Sequence, residues 1–168
     1  MSQLPHPSSR PAIDPKTSTL RRLRRLSYVL DNAIPVPGTP YRIGLDPLLG
    51  LLPGGGDFLG AALSAYIVLE AARLGLPRAT LVKMVSNILF ETVLGSVPVL
   101  GDVVDASWKA NAKNVTLVEE HLDIPRQAKP KTDWFFLALL LGGLLLVVIA
   151  VAAVSIAILG WLLAGINR

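Results

Sequence analysis

Three groups of side chains in this sequence have the types that carry chemistry. Asp102, Asp105 and Lys109 are spaced by three and four, which on a helix projects them from one face, with Asn111 and Asn114 on flanking positions. Joined by Asp57, the two aspartates would offer oxygen ligands to a hard cation or a path for protons, provided folding brings residues 57 and 102–105 together. A plainer account competes for the same residues and is the first expectation. Asp102 is a good helix N-cap, Asp105 falls at the third helical position as in a capping box, and Asp105 followed by Lys109 has the favoured order for a surface ion pair. Asp57, Asp102, Asp105, Lys109 and Asn111 are therefore the candidate polar site, with no catalytic, cofactor-binding or metal residue assigned.

In the second group, Lys83, Asn87 and Glu91 are spaced by four and form one polar stripe on an otherwise apolar helix. Asn87 and Glu91 would be costly against lipid, so they are expected to face protein or the aqueous interface. The third group is Gly54-Gly55-Gly56, whose backbone N–H groups would suit a phosphate at a helix N-terminus. It lacks the P-loop lysine, Asp57 places negative charge where the anion would sit, and no preceding strand is expected, so a tight interhelical turn is the better reading. His6 and His121 have no partner at metal-ligand or triad spacing. The absence of cysteine excludes disulfides, thiolate metal sites and cysteine nucleophiles. With no nucleophile and base to name, the expectation is a non-enzyme without cofactor.

The elements that must position these groups are organised around a stretch used twice. Residues 46–57 read DPLLGLLPGGGD and residues 91–102 read ETVLGSVPVLGD, at a constant offset of 45. Leu49/Leu94, Gly50/Gly95, Pro53/Pro98, Gly56/Gly101 and Asp57/Asp102 are identical, which marks an internal repeat. The second copy keeps the Pro, the last Gly and the Asp but replaces two glycines with Val99 and Leu100, so what repeats is a hinge and a helix cap. Each copy is expected to be the corner of a helical hairpin. Asp57 caps a helix apolar on nearly every side up to Leu69 and closed by Gly75 and Pro77; a second apolar helix covers residues 78–95; Asp102 caps a more polar helix over residues 103–122.

Composition sets these elements beside a membrane. An apolar fraction of 52%, a charged fraction of 17% and a mean hydropathy of +0.54 are on the apolar side for a soluble domain. Residues 134–163 run 30 positions without a charge, against roughly 20 needed to cross a bilayer, with Trp134 and Trp161 near the ends as interfacial anchors. Basic residues precede this span, so the N-terminal body is expected in the cytoplasm and the C-terminus outside. Residues 1–16 read as a disordered arm without the apolar core of a secretory signal. Residues 17–31 read as a basic amphipathic helix with Leu20, Leu23, Leu26 or Ser27, and Leu30 on one face. That helix either lies on the domain with its arginines in water or sets Arg21, Arg22, Arg24 and Arg25 against anionic headgroups, and the two can coexist. The stretch IPVPGTPYRIG after it is a stiff, non-helical connector.

The run LDNAIPVPGTPYRIGLDPLLGLLPGGGDFLGAALSAYIVLEAARLGLPRATLVKMVSNILFETVLGSVPVLGDVVDASWKANAKN resembles an uncharacterised, mostly bacterial family catalogued as domain of unknown function 4112, over roughly residues 22–122. The resemblance implies that the repeated turn belongs to one domain usually found in membrane-associated proteins. It brings no activity, cofactor or catalytic residue. The span lies outside it and rests on hydropathy.

The reading as a whole is an all-α membrane protein: arm 1–16, helical repeat domain 17–123 with an N-terminal amphipathic helix and two diverged helical-hairpin repeats, linker 124–133, one C-terminal transmembrane helix 134–163 and tail 164–168. Its expected partners are the lipid bilayer and anionic lipid, not nucleic acid. Small residues recur at Ala138/Gly142, Ala153/Ala157 and Gly160/Ala164, so a homo-oligomer is also expected. A scaffold at a bacterial inner membrane is the first functional expectation. A membrane-embedded transporter or channel component built on the Gly/Pro-broken repeats is the second, and a metal-dependent enzyme on lipid headgroups the third.

Overall fold

The computed structural model describes residues 14–40, 42–45, 56–95, 108–123 and 132–166. Most of both repeat motifs, Asp102 and Asp105 among them, and the side chain of Asp57 lie outside the described residues. Within them the protein is all-helical but for two short strands: α1 Pro15–Asn32, β1 Ile34–Pro35, β2 Arg42–Ile43, α2 Gly56–Arg73, α3 Arg78–Gly95, α4 Ala110–Asp123 and α5 Trp134–Ile166.

α1 begins two residues before the expected start at residue 17. The Asp14 side chain accepts from the N–H of Lys16 at 3.1 Å, and Pro15 occupies the first turn, where its missing N–H leaves no intrahelical bond unmade. Its buried residues are Leu23, Ser27, Leu30 and Asp31, with Leu20 and Leu26 on the flanks, so the apolar stripe faces the domain and the arginines face outward. The connector after α1 is not wholly irregular. β1 and β2 pair antiparallel, Ile34 with Ile43 and Pro35 with Arg42, and the N–H of Leu45 donates to the carbonyl of Val29 at 3.1 Å. This close docking is why residue 44 is glycine: an added Cβ there would run into the Leu30 carbonyl.

α2 and α3 form a hairpin at the centre. Gly75, at φ 87, ends α2 in a Schellman motif: its N–H reaches the Ala72 carbonyl at 3.0 Å and the N–H of Leu76 reaches Ala71 at 3.2 Å. The Pro77 carbonyl then accepts from Leu81 at 3.1 Å to start α3. α4, with α1 packed on it, covers one flank of the hairpin, and α5 runs back along the other. That layering accounts for two helices apolar on nearly every side. Ile67, Val68, Ala71 and Ala72 of α2 and Leu81, Met84, Val85 and Ile88 of α3 are buried because each helix meets protein on more than one side. The other end of the hairpin differs, for Phe58, Leu59, Leu63, Phe90 and Val93 are exposed there.

α5 is long and apolar enough to cross a membrane. Its first half also belongs to the domain. Leu137, Leu144 and Val148 are buried in the same core as Ile67 and Met84, so the core does not end at residue 123, and α5 extends past residue 163 to Ile166. Asp133 caps α5 through the N–H of Phe136 at 2.9 Å, and Thr132 donates to the Ala72 carbonyl at 2.8 Å, which fixes the start of α5 at the closed end of the hairpin. From residue 153 onward the described side chains are exposed.

Candidate functional site

The polar residues converge on the N-terminus of α4. The long helix expected to run from Asp102 is interrupted: Trp108 lies in a turn and Lys109 has φ 42, so α4 starts only at Ala110. Lys109, immediately before it, has no side-chain acceptor with which to cap the helix. The caps come from other helices instead. Glu91 of α3 accepts from the N–H of Ala110 at 3.2 Å, and Asp31 of α1 accepts from the N–H of Ala112 at 2.7 Å. Each is a charge-assisted bond at the positive end of the helix dipole, worth about 1.5–3 kcal/mol where solvent is excluded.

A layer of amides lies beneath these carboxylates. Asn111 and Asn114 are fully buried. Asn111 donates to the second oxygen of Asp31 at 2.8 Å; Asn114 donates to the Met84 carbonyl at 3.1 Å and accepts from Asn87 at 2.8 Å. The Trp108 indole donates to the Asn87 carbonyl at 3.2 Å, stacks obliquely on Phe90 at 4.3 Å, and receives the Lys113 ammonium 2.9 Å from its ring centre. Lys109 reaches the side-chain oxygen of Asn32. Burial pushes the Asp31 carboxyl above the usual carboxylate range, while Asn111, the Ala112 N–H and Lys109 pull it back in part.

Of the candidate residues, the structure brings Lys109 and Asn111 together, along with Asn87, Asn114 and Glu91. Asp57 falls in the first turn of α2 rather than before it, and Asp102 and Asp105 lie outside the described residues. Lys109, at φ 42 and just outside α4, meets Asn32. Lys83 is exposed while Asn87 and Glu91 turn inward, since residues four apart advance about 40° around a helix and so drift off a single stripe. Asp31, Asn32 and Trp108 were not among the candidates. A signal for Asp31 exists, since an acid four residues after Ser27 stays on the buried face of α1.

Chemically this arrangement is that of a capped helix end. Carboxylates of the same chain occupy the helix N-terminus where an external anion would bind, Asn87 donates to Asn114, and Asn111 donates to Asp31. Among the described residues no group of three or more His, Cys, Asp or Glu side chains is placed to hold a metal ion. A cleft of about 250 Å³ lies at the closed end of the hairpin between Leu76, Leu81 and Phe136, below the roughly 300–1,000 Å³ of ordinary ligand pockets.

That closed end carries the ion pairs. The buried Glu70 carboxylate holds Arg22 at 2.7 Å and Arg73 at 2.6 Å, Arg24 binds Glu119 at 2.5 Å, and Arg78 binds Asp133. The N–H of Phe136 above all, helped by Arg78, keeps the Asp133 carboxyl below its usual range. Two of the four arginines expected to meet anionic lipid, Arg22 and Arg24, are thus bound within the domain.

A family model described as Domain of unknown function (DUF4112) matches residues 19–122. No curated protein and no solved structure matches the chain.

Proposed function

The chain belongs to the family described as Domain of unknown function (DUF4112), and on that premise we propose that it is a non-enzymatic scaffold anchored in a bacterial inner membrane. The observation that carries this reading is the double use of α5. Leu137, Leu144 and Val148 complete the core of the helical domain, whereas residues 153–163, where described, are exposed and, but for Ser155, apolar. A helix shared in this way joins body and anchor rigidly, with no flexible linker at the point where the chain leaves the domain, which suits a module that presents a fixed surface at the bilayer. The use of Glu91 and Asp31 as caps for α4 supports an architectural role for the residues most able to do chemistry.

The orientation follows from charge. Basic residues precede the span, so the domain is cytoplasmic and the C-terminus lies outside. α5 starts at the closed end of the hairpin and leaves past the other end, where Arg42, Lys109 and Lys113 lie near the C-terminus of α1 and the start of α4. These cations meet anionic headgroups first, each worth about 1 kcal/mol near a charged surface, while Arg21 and Arg25 lie toward the opposite end of α1, on either side of the Arg22 that Glu70 binds.

Single cysteines in the cysteine-free chain test the reading. Thr116→Cys should react with an impermeant maleimide only after cells are permeabilised, and Asn167→Cys should react in intact spheroplasts. The reverse pattern, or protection of both, would remove the single-span scaffold. The exposed Phe58, Leu59, Leu63, Phe90 and Val93 favour a second reading, a membrane-embedded transporter component. It would place Lys109, Lys113 and Arg42 at hydrocarbon depth, at roughly 2.5–3.5 kcal/mol each, and we rank it second for that reason.

A further inference from the structure

We infer that the outer face of the first half of α5 is an interface between two copies of this chain. The inference rests on the single-span reading above and begins with length. α5 has 33 residues and is therefore about 50 Å long, whereas the hydrocarbon core of a bilayer is about 30 Å thick. Lipid covers roughly 20 of its residues, and about 13 must stand outside. The charged groups decide which. Residues 134–148 run beside the domain whose α1 and α4 carry Arg24, Asp31, Lys113, Glu119 and Glu120, and immersing that half would carry those charges into hydrocarbon. The crossing part is therefore the C-terminal one, about residues 147–166, and the first half of α5 stands in water.

That half is apolar on two opposite faces, and the domain covers one of them. Leu137, Leu144 and Val148 face the hairpin. On the other side Phe135, Leu139, Gly142 and Leu146 follow one another at spacings of four and three, and Phe135, Leu139 and Leu146 are 82%, 69% and 69% exposed. A stripe of this kind is costly in water. Packing within the chain does not call for glycine at 142 or 143, since a Cβ built at either would meet nothing within 4 Å. Their small size serves a close approach from outside.

The occupant is a second copy for reasons of charge and symmetry. α5 carries no charged residue from Trp134 to Ile166, so its partner surface must be apolar and uncharged over the same length. Two single-span copies inserted with one orientation hold their α5 helices parallel, and a two-fold axis along the membrane normal sets each stripe against its own counterpart. Below the domain the interface continues into the bilayer through Ala153/Ala157 and Gly160/Ala164, small residues that let two helices approach.

In an isologous contact each residue near the axis meets itself, so the full-length chain with one cysteine reports it directly. Phe135→Cys, Leu139→Cys and Leu146→Cys, oxidised with copper phenanthroline in native membranes, should give a dimer-sized band, and Thr116→Cys on exposed α4 should give none. Adding Leu139→Glu to the Phe135→Cys chain should abolish the band while the helical circular dichroism is unchanged, because Leu139 makes no part of the core. Monomer at all three positions overturns the inference, as does crosslinking by a bifunctional maleimide to a protein of another mass. Labelling of Asn167→Cys in the same membranes separates the two failures. If that residue is reached from outside and the stripe yields only monomer, lipid or another partner covers it and the dimer alone falls; if it is not reached, the single-span reading falls and takes the dimer with it.

Discussion

Asp31 is the residue on which the polar cluster turns. Its carboxylate accepts from the buried Asn111 amide and from the N–H of Ala112, joining the end of α1 to the start of α4. Burial raises its folded-state pKa above the ordinary value of 3.8. The sign follows from linkage: folding favours the neutral acid, so the associated stability is complete below about pH 3.8 and is lost as pH rises through the raised folded value. Asp31→Asn leaves one acceptor oxygen for two donors, the Asn111 amide and the Ala112 N–H, and should cost about 1–3 kcal/mol in unfolding experiments followed by tryptophan fluorescence. The gap between the two proteins should narrow from acid to neutral pH; a gap that widened would contradict the assignment of burial as the dominant cause. Part of this was legible beforehand. The register of Leu23, Ser27 and Leu30 puts Asp31 on the covered face, but which helix end it caps depends on a contact between residues 31 and 112, and no local pattern encodes a partner so distant.

Among the elements, α5 is the one whose role changes between sequence and structure. Hydropathy marks it as a span and treats all its apolar residues alike, because hydrophobicity is non-directional and does not report which neighbour covers a side chain. The fold divides them. Leu144 is buried against the hairpin and Leu139, five positions earlier, is exposed on the opposite side. Leu144→Ala should therefore destabilise the domain by about 2–5 kcal/mol in detergent solution, while Leu139→Ala should change it by no more than about 0.5 kcal/mol. Equal effects would show that α5 does not pack on α2 and α3. The stop signal at Gly75 and Pro77, which closes α2, was legible with less help from context because a cap is a local chemical event, whereas Asp14-Pro15, which opens α1, and Asp133, which opens α5, were read as arm and linker. The break at Lys109 was not, since a lysine at φ 42 carries no turn signature and is held there by Asn32, Glu91 and Asp31 around it.

At the scale of the whole molecule, anchor and body share one core, so the point of truncation matters more than the length removed. A chain ending after Ala152 keeps Leu137, Leu144 and Val148 and should retain cooperative unfolding, whereas one ending before Trp134 uncovers the hairpin and should aggregate or lose its cooperative transition; circular dichroism and size exclusion in mild detergent distinguish them. A well-folded chain ending before Trp134 would mean that α5 is only an anchor. By itself the sequence determined the helical class, the basic amphipathic first helix, the closed end of the hairpin and the presence of a helix able to cross a bilayer. These follow from period, cap chemistry and uninterrupted apolar length, all properties of residues near one another in the chain. Only the tertiary structure decided that Asp31 and Glu91 cap α4 from α1 and α3, that Arg22 and Arg24 are bound by Glu70 and Glu119, and that half of the apolar helix is domain core. Those are pairings between residues tens of positions apart, and they are selected by the burial and charge balance of the assembled layers, which no stretch of the chain contains alone.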